Sequence, residues 1–170
     1  DLVPSEAVTV VVSEKGWARC AKGHDIDPQA LSYKAGDSYL SSARGRSNRP
    51  VVFIDSAGRA YTTDAHTLPT ARSQGEPLTG RFNLGAGETF EKTLMADDEA
   101  RYLLASDAGY GFVGKFSDMV SRNKNGKALL SLPANAKVMT PCFVNDLTSS
   151  FVLSITSEGR MLVFLVQDLP

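Results

Sequence analysis

Residues 109–115 match two phosphate-binding patterns at once. The segment reads Gly-Tyr-Gly-Phe-Val-Gly-Lys, which fits both G-x-G-x-x-G and G-x-x-x-x-G-K. A phosphate loop needs Ser or Thr after its lysine to bind magnesium, whereas Phe116 follows here. Both patterns also need a helix directly after the loop, and the residues around Gly109 are typical of a β-hairpin. The sequence therefore predicts no nucleotide site in this segment.

His24 stands beside two carboxylates, Asp25 and Asp27, in a group that could bind a metal ion or do acid–base chemistry. The chain has one other histidine, His66, in a different part of the sequence. A structural zinc site therefore lacks ligands, and no G-x-S-x-G segment offers a serine nucleophile. We expect His24 to be a hydrogen-bonded loop residue or, as an alternative, a phosphate contact beside Lys22. The sequence predicts no metal site and no catalytic residue.

The composition is that of one ordinary globular domain. The chain has 170 residues, 42% of them hydrophobic, and a formal net charge of −1, which excludes disordered, collagen-like and disulfide-rich proteins. Its two cysteines, Cys20 and Cys142, are predicted to be small buried hydrophobic residues. The longest apolar run, 161–166, is too short to cross a membrane, and residues 1–6 do not resemble a secretion signal. The sequence therefore predicts a cytoplasmic protein without membrane insertion.

An internal repeat organises the chain. Four segments, 8–16, 51–58, 102–109 and 151–159, each contain a β-rich run, a short polar residue and, three positions later, a glycine. The polar residue and glycine pairs are Ser13 and Gly16, Asp55 and Gly58, Ser106 and Gly109, and Thr156 and Gly159. A short hydroxyl or carboxyl side chain can close a turn on the backbone, and glycine accepts the positive φ that such turns require. The pattern predicts four β-hairpins.

The similarity between units extends beyond the hairpins. Pro69 and Pro170 each lie 11 residues after a hairpin glycine, and Gly75 and Gly126 each lie 17 residues after one. Further strand candidates follow at 78–84, 89–95, 127–132 and 137–144, so that each unit offers about four short strands. Helical periodicity is scarce, and only 97–104 and 116–122 could form a turn or two of helix.

These features predict an all-β domain of about four repeated four-stranded units in a radial or solenoidal array. The single domain covers 1–170, with units at about 7–48, 49–98, 99–148 and 149–170, the last of them partial. Because terminal repeats need capping, we expect the chain to be incomplete at its C-terminal end. Its edges near 161–166 are then expected to pair with another segment or to promote self-association.

Charge is distributed unevenly along the chain. Residues 14–50 and 115–127 are each net +3, whereas 88–101 is net −3. Many of the basic residues fall in the links between the second and third strands of a unit, and equivalent links occupy equivalent places on the rim of a radial array. Such a row could track a phosphate backbone, because each contact releases counterions without reading sequence. Ordinary solvated loops remain the alternative.

Five stretches carry a resemblance to a known family. They are 13–17 (Ser-Glu-Lys-Gly-Trp), 21–27 (Ala-Lys-Gly-His-Asp-Ile-Asp), 33–37, 74–80 and 105–113. Together they resemble the C-terminal domain of the A subunit of bacterial DNA topoisomerase IV, within the superfamily that also holds the C-terminal domains of gyrase A subunits. The likeness covers essentially the whole chain.

The resemblance implies a β-pinwheel, in which propeller-like blades of four strands exchange strands with their neighbours, with a basic outer rim that binds and bends DNA. Such a domain is an accessory to a type IIA topoisomerase, an isomerase that passes one duplex through another in decatenation and supercoil relaxation. ATP and Mg²⁺ belong to the holoenzyme, and no cofactor is expected in this domain. The implied partners are double-stranded DNA, the catalytic core of the same polypeptide, the ATPase subunit of the heterotetramer and a condensin-type protein. The implied location is the bacterial nucleoid.

Gyrase A subunits carry a Gln-Arg-Arg-Gly-Gly-Lys-Gly box that lets them wrap DNA, and 72–75 and 122–127 hold only degenerate versions of it. This difference favours topoisomerase IV and predicts weaker DNA contact that does not read sequence. The residues assigned to DNA binding are Lys22, His24, Arg44, Arg46, Arg49, Arg72, Gln74, Arg122, Lys124 and Lys127. The alternative function is a protein-binding, propeller-like scaffold with aromatic anchors such as Tyr33, Tyr39 or Phe116.

Overall fold

The computed structural model describes residues 2–170, and this part of the chain is built almost entirely from β-strands. The strands are β1 (Ala7–Ser13), β2 (Trp17–Lys22), β3 (Tyr39–Arg46), β4 (Pro50–Asp55), β5 (Arg59–Asp64), β6 (Glu76–Pro77), β7 (Phe90–Leu94), β8 (Arg101–Ala105), β9 (Gly111–Lys115), β10 (Lys127–Ala128), β11 (Cys142–Val144), β12 (Phe151–Ile155) and β13 (Met161–Leu165). One helical turn, α1 (Phe116–Met119), and 3-10 turns at Pro28–Ala30, Ala65–Thr67, Leu78–Gly80 and Val166–Asp168 complete the elements. No helix within residues 2–170 is long and apolar enough to cross a membrane. The all-β prediction is confirmed.

The four predicted hairpins are present as β1–β2, β4–β5, β8–β9 and β12–β13. Their glycines have φ angles between 78° and 84°, as the turns require. Ser13 Oγ accepts a hydrogen bond from the Trp17 amide at 3.1 Å, and Asp55 Oδ1 accepts one from the Arg59 amide at 2.9 Å. Thr156 Oγ1 accepts one from the Arg160 amide at 3.1 Å, whereas the Ser106 hydroxyl donates to the Tyr110 carbonyl at 3.5 Å. Each short polar residue therefore contacts the backbone of its own turn, as the sequence predicted.

The strands form four separate sheets, which we call blades 1 to 4. Their strand orders are β3-β1-β2-β6, β10-β5-β4-β7, β11-β8-β9 and β12-β13. Strand β6 follows the hairpin of blade 2 in sequence but pairs with β2 of blade 1, and β10 follows the hairpin of blade 3 but pairs with β5 of blade 2. Neighbouring blades therefore exchange a strand, as the resemblance implied.

Blades 1 and 2 have the four strands predicted for a blade, whereas blades 3 and 4 have three and two strands among the described residues. The strand candidate at 127–132 shortens to a pairing of two residues, Lys127–Ala128. The candidate at 78–84 is wrong, because the exchanged strand is Glu76–Pro77, directly before it. Leu78–Gly80 forms a 3-10 turn where a strand was predicted. The exchanged segment therefore touches the preceding blade briefly and turns away.

Pro69 and Pro170, which share their spacing from a hairpin glycine, occupy equivalent places in the array. The Pro69 carbonyl accepts the Cys20 amide at 2.8 Å, and the Pro170 carbonyl accepts the Val113 amide at 3.1 Å. Each amide belongs to the fourth residue after a hairpin glycine. Each proline thus lies against the second hairpin strand of the preceding blade, which explains why the spacing repeats.

Two hydrophobic cores lie between successive blades. Side chains alternate along β4, so that Val51 and Phe53 face the first core while Val52 and Ile54 face the second. In the first core they meet β1 of blade 1 and the rings of Tyr61, Phe82 and Phe90. In the second core they meet Leu104, Phe116 and Met119 of blade 3 and the turn that follows it. Blade 2 is consequently buried on both faces and positions its neighbours.

The cysteine prediction is wrong for Cys142, which lies exposed on edge strand β11. Cys20 is half-buried and packs against the first core, and burial raises the pKa of its thiol. The outcomes differ because Cys142 stands on the outer strand of a blade, where no further strand covers it among residues 2–170.

The hairpin of blade 4 leaves one apolar face exposed. Leu153 pairs with Val163 and Ile155 with Met161, so that these side chains share a face, and Leu153 and Ile155 are 58% and 64% exposed. In the repeat they are equivalent to Val52 and Ile54, which are buried by blade 3.

In solution we expect the 170-residue chain to self-associate through this face, because contiguous exposed apolar surface favours association. Replacing Leu153 and Val163 together by lysine should leave the chain monomeric, as sedimentation velocity would show. Lys substitutions at the exposed positions Ser131 and Thr140 are the matched control. A wild-type chain that stays monomeric at about 100 µM would contradict this expectation.

Candidate nucleic-acid interface

Two equivalent loops lead into the exchanged strands, where these strands join the preceding blade. We call residues 71–75 the first exchange loop and residues 122–126 the second exchange loop. The first ends as Glu76 pairs with Ala18 of β2, and the second ends as Lys127 pairs with Ala60 of β5. Ala18 and Ala60 are each the second residue after a hairpin glycine. The repeat therefore places the two loops at the same point of consecutive blades.

Each exchange loop ends at a position that only glycine can occupy. Gly75 has φ +88°, and a Cβ there would lie 2.5 Å from the Ala18 carbonyl oxygen. Gly126 has φ +71°, and a Cβ there would lie 3.0 Å from the Ala60 carbonyl oxygen and 2.8 Å from the Tyr61 ring. Both positions combine left-handed backbone with close approach to a strand. This explains why these two glycines share their spacing from the hairpins.

The exchange loops carry exposed polar and basic side chains. Arg72 and Gln74 of the first loop and Lys124 of the second are exposed. Neither Arg72 nor Lys124 belongs to a salt bridge in the part of the chain that the structure describes. Their charges are therefore available to an anion.

Two other basic residues, Arg122 of the second exchange loop and Lys127 directly after it, have internal partners. Both terminal nitrogens of Arg122 donate to the Asp64 carboxylate, at 3.2 and 3.3 Å, and this contact raises the pKa of Arg122. The Lys127 Nζ donates to the backbone carbonyl of Asp118. Both side chains stay exposed, but Arg122 shares its charge with a carboxylate.

Four further predicted site residues gather at the end of blade 1 where β2 and β3 finish. Arg44 and Arg46 are exposed two positions apart on β3, so they project to the same side. The His24 Nε2 donates to the Gly45 carbonyl at 3.0 Å, which confirms the expected hydrogen-bonded loop histidine. Lys22 Nζ lies 3.6 Å from a carboxylate oxygen of Glu6.

Arg49 lies in the turn between blades 1 and 2 and meets acidic residues. Its Nη2 donates to Asp98 Oδ1 at 2.9 Å, and the adjacent Glu99 pairs with Lys115 at 2.7 Å. The Lys115 ammonium holds the pKa of Glu99 below its usual value. The acidic segment seen in the sequence therefore lies beside Arg49. Carboxylates at this distance would oppose a phosphate.

The ten predicted site residues do not form a single row. The exchange loops lie at one edge of the blades, and β3, with Arg44 and Arg46, lies at the other. Four strands at their usual spacing separate these edges by about 14 Å. At the β3 edge the blades meet directly, since Ser41 Oγ and Thr93 Oγ1 are 2.7 Å apart. Which of the ten residues contacts a ligand stays a prediction.

Sequence reasoning overlooked two arginines of the interface. Arg19 is only 3% exposed, and its Nη1 donates to the Ser73 carbonyl of the first exchange loop at 3.0 Å. Arg59 Nε donates to the Asn125 carbonyl of the second loop at 2.9 Å. The position of Arg19 between Ala18 and Cys20 in a β-rich run was the available signal, because that strand is mostly apolar.

A metal site needs several ligand side chains close together. No group of three His, Cys, Asp or Glu side chains in this part of the chain comes together as a metal ion would need.

Known proteins resemble the chain closely in sequence and in structure. No family model matches it. The chain is 61% identical over its whole length to the A subunit of DNA topoisomerase 4 from Haemophilus influenzae, and it spans 23% of the length of that relative. Among solved structures, the Escherichia coli ParC C-terminal domain superposes with a TM-score of 0.93 and 57% identity, covering 98% of this chain and 67% of that one.

A more distant structure shares the fold. The DNA gyrase A C-terminal domain superposes with a TM-score of 0.65 at 17% identity, over 96% of this chain and 56% of the other. This likeness shows that the two domains share the β-pinwheel fold. The chain belongs to the family of C-terminal domains of bacterial DNA topoisomerase IV A subunits.

Proposed function

We propose that this domain binds double-stranded DNA through the phosphate backbone without reading base sequence. The observation that carries the proposal is the recurrence of an exposed basic loop at the same point of consecutive blades, with Arg72 on the first and Lys124 on the second. The relatives that match the chain over its full length are DNA topoisomerase 4 A subunits, which supports a DNA ligand.

The chemistry of the exchange loops suits phosphate. Arg and Lys side chains that neutralise phosphates release condensed counterions, which favours binding at low salt. Gln74 and Asn123 are exposed amides on the same loops, and amides donate hydrogen bonds to phosphate oxygens. Because the loops repeat from blade to blade, one duplex that touches both must follow the array. Bending 20–30 base pairs by 40–90° costs about 1–6 kcal/mol, which the added contacts would offset.

In the whole enzyme we assign the domain an accessory role. It would help to select and position duplexes for ATP-dependent strand passage in decatenation and supercoil relaxation, beside the catalytic core, the ATPase subunit and a condensin-type partner. ATP and Mg²⁺ would act elsewhere in the holoenzyme, on the bacterial nucleoid in the cytoplasm. The chain spans less than a quarter of the relative it matches, so these statements belong to the proposal.

The alternative of a protein-binding scaffold is weakened by the placement of its aromatic anchors. Phe116 is fully buried in the second core, so this candidate is wrong. Tyr33 is half-buried with Arg19 over its ring and its hydroxyl bonded to the Pro28 carbonyl. Tyr39 is half-buried as well, with its hydroxyl 3.0 Å from Ser42 Oγ. All three candidate rings are therefore at least half-buried.

Fluorescence anisotropy tests the proposed function. A labelled random-sequence duplex of about 40 base pairs is titrated with the chain at several salt concentrations, and log affinity is plotted against log salt. We expect saturable binding that weakens steeply with salt and is equal for unrelated sequences. Absence of binding at about 50 mM salt, or binding that ignores salt, would contradict the proposal.

A further inference from the structure

Two arginines outside the predicted site bind the main chain of the exchange loops. Arg19 donates from Nη1 to the Ser73 carbonyl at 3.0 Å and from Nη2 to the Ser32 carbonyl at 2.8 Å. Arg59 donates from Nε to the Asn125 carbonyl at 2.9 Å and from Nη2 to the Gly126 carbonyl at 3.0 Å. Each arginine therefore belongs to one blade and holds a loop that comes from the next.

Burial makes Arg19 an unusual basic residue. It is almost completely buried, and neither it nor Arg59 pairs with a carboxylate in the described part of the chain. A buried guanidinium is costly unless its donors are satisfied. Here two carbonyl oxygens and the Tyr33 ring, 4.8 Å from the guanidinium carbon, satisfy it. The charge of Arg19 is thus used inside the protein and faces no solvent ligand.

The two arginines are not copies of each other in the repeat. Arg19 is the third residue after its hairpin glycine, where blade 2 has Tyr61, and Arg59 is the first residue after its glycine, where blade 1 has Trp17. Different positions of the repeat thus supply the same contact, in which a guanidinium group donates hydrogen bonds to backbone carbonyls of the loop. Internal duplication alone would not produce this arrangement, which points to a requirement for holding the loops.

We propose that Arg19 and Arg59 are positioning residues that fix the backbone of the exchange loops so that Arg72 and Lys124 stand ready for phosphate. The inference rests on the proposed function, because it concerns the same two loops. An arginine fork fits two carbonyls at once, which a lysine ammonium cannot reproduce with the same geometry. Fixing the loops before binding reduces the entropy lost when DNA is bound.

The test uses Arg59→Lys in the 170-residue chain, since this change keeps the charge and removes the fork. Hydrogen exchange of the free protein is expected to become at least about tenfold faster in residues 122–127 and to stay unchanged in 71–75. DNA affinity should fall about fivefold, the factor that corresponds to one lost hydrogen bond, with an unchanged slope of log affinity against log salt. Arg19→Lys should give the mirror result, with faster exchange in 71–75.

Arg160→Lys, at an exposed site on blade 4, is the matched control and should change neither measurement. Unchanged exchange in Arg59→Lys would overturn the proposal. If exchange in the variant stayed as slow as in wild type while DNA affinity fell, the proposal would also be overturned, because Arg59 would then contact DNA directly. Arg59→Gln, which removes the charge, would in that case lower the slope by about 0.9. If wild-type protein bound no DNA, the proposed function would fail as well. Faster hydrogen exchange in Arg59→Lys would even then support the positioning role, because exchange is measured without DNA. The two proposals can therefore fail independently.

Discussion

Replacing Arg72, Arg122 and Lys124 together by glutamine is expected to weaken binding to a random-sequence duplex by about 100-fold or more at 0.1 M salt. The three side chains lie on the exchange loops of consecutive blades. Each true phosphate contact contributes about 0.9 to the slope of log affinity against log salt. The slope should therefore fall by about 1.8 for Arg72 and Lys124, and by about 2.7 where Arg122 exchanges the Asp64 carboxylate for a phosphate. Anisotropy titrations at four or more salt concentrations measure both quantities.

A second triple variant separates local contacts from net charge. Lys15, Lys137 and Arg160 are exposed at or near the hairpin turns, away from the exchange loops, and replacing them by glutamine removes the same charge. This control should leave the slope unchanged and lower affinity only slightly, by weakening the long-range field. If the two triple variants lost equal amounts of DNA affinity, the exchange loops would not be the DNA contact surface.

Replacing Asp55 by alanine is expected to lower the free energy of unfolding by about 3 kcal/mol. The side chain is 0% exposed, and its oxygens accept hydrogen bonds from the Ala57 amide, the Arg59 amide and the Tyr61 hydroxyl at 2.9, 2.9 and 2.8 Å. Alanine would leave all three donors without their acceptor inside blade 2. The midpoint of thermal unfolding should fall by roughly 6–12 °C for a chain of this size.

Two further variants separate the contribution of the turn from that of the Tyr61 hydrogen bond to this loss of stability. Asp55→Ser restores the residue type that Ser13 and Ser106 supply in blades 1 and 3, so it should recover the turn and about half of the loss. Tyr61→Phe removes only the hydroxyl and should cost about 1–2 kcal/mol. Burial and the Asp55 carboxylate raise the pKa of Tyr61 to about 12, and an absorbance titration should find it lower in Asp55→Ala. Asp55→Ala within about 0.5 kcal/mol of wild type would contradict the account.

The hairpins could be predicted from the sequence because their determinants are local. A turn needs only a polar residue and a glycine three positions later, as at Asp55 and Gly58, and those two residues act on each other without help from the rest of the chain. The spacing of Gly75 and Gly126 was also visible, although its cause was not. The cause is the packing of each glycine on a carbonyl of the preceding blade.

The strand exchange and the partners of the basic residues could not be read from the sequence. Pairings of only two residues, such as Glu76–Pro77 on β2, leave no alternating pattern. The carboxylates that meet Arg49 and Arg122 are 49 and 58 residues away in the chain. Such contacts depend on the completed fold. The resemblance therefore suggested one rim for all ten candidates, whereas the structure places them at separate edges.

A nuclear magnetic resonance titration of the isotope-labelled chain with a short random-sequence duplex tests the central claim most directly. The account predicts that amide shifts concentrate in residues 71–75 and 122–128 at low salt and vanish as salt is raised. Shifts confined to the apolar face of blade 4, around Leu153 and Val163, or shifts that do not respond to salt would contradict it.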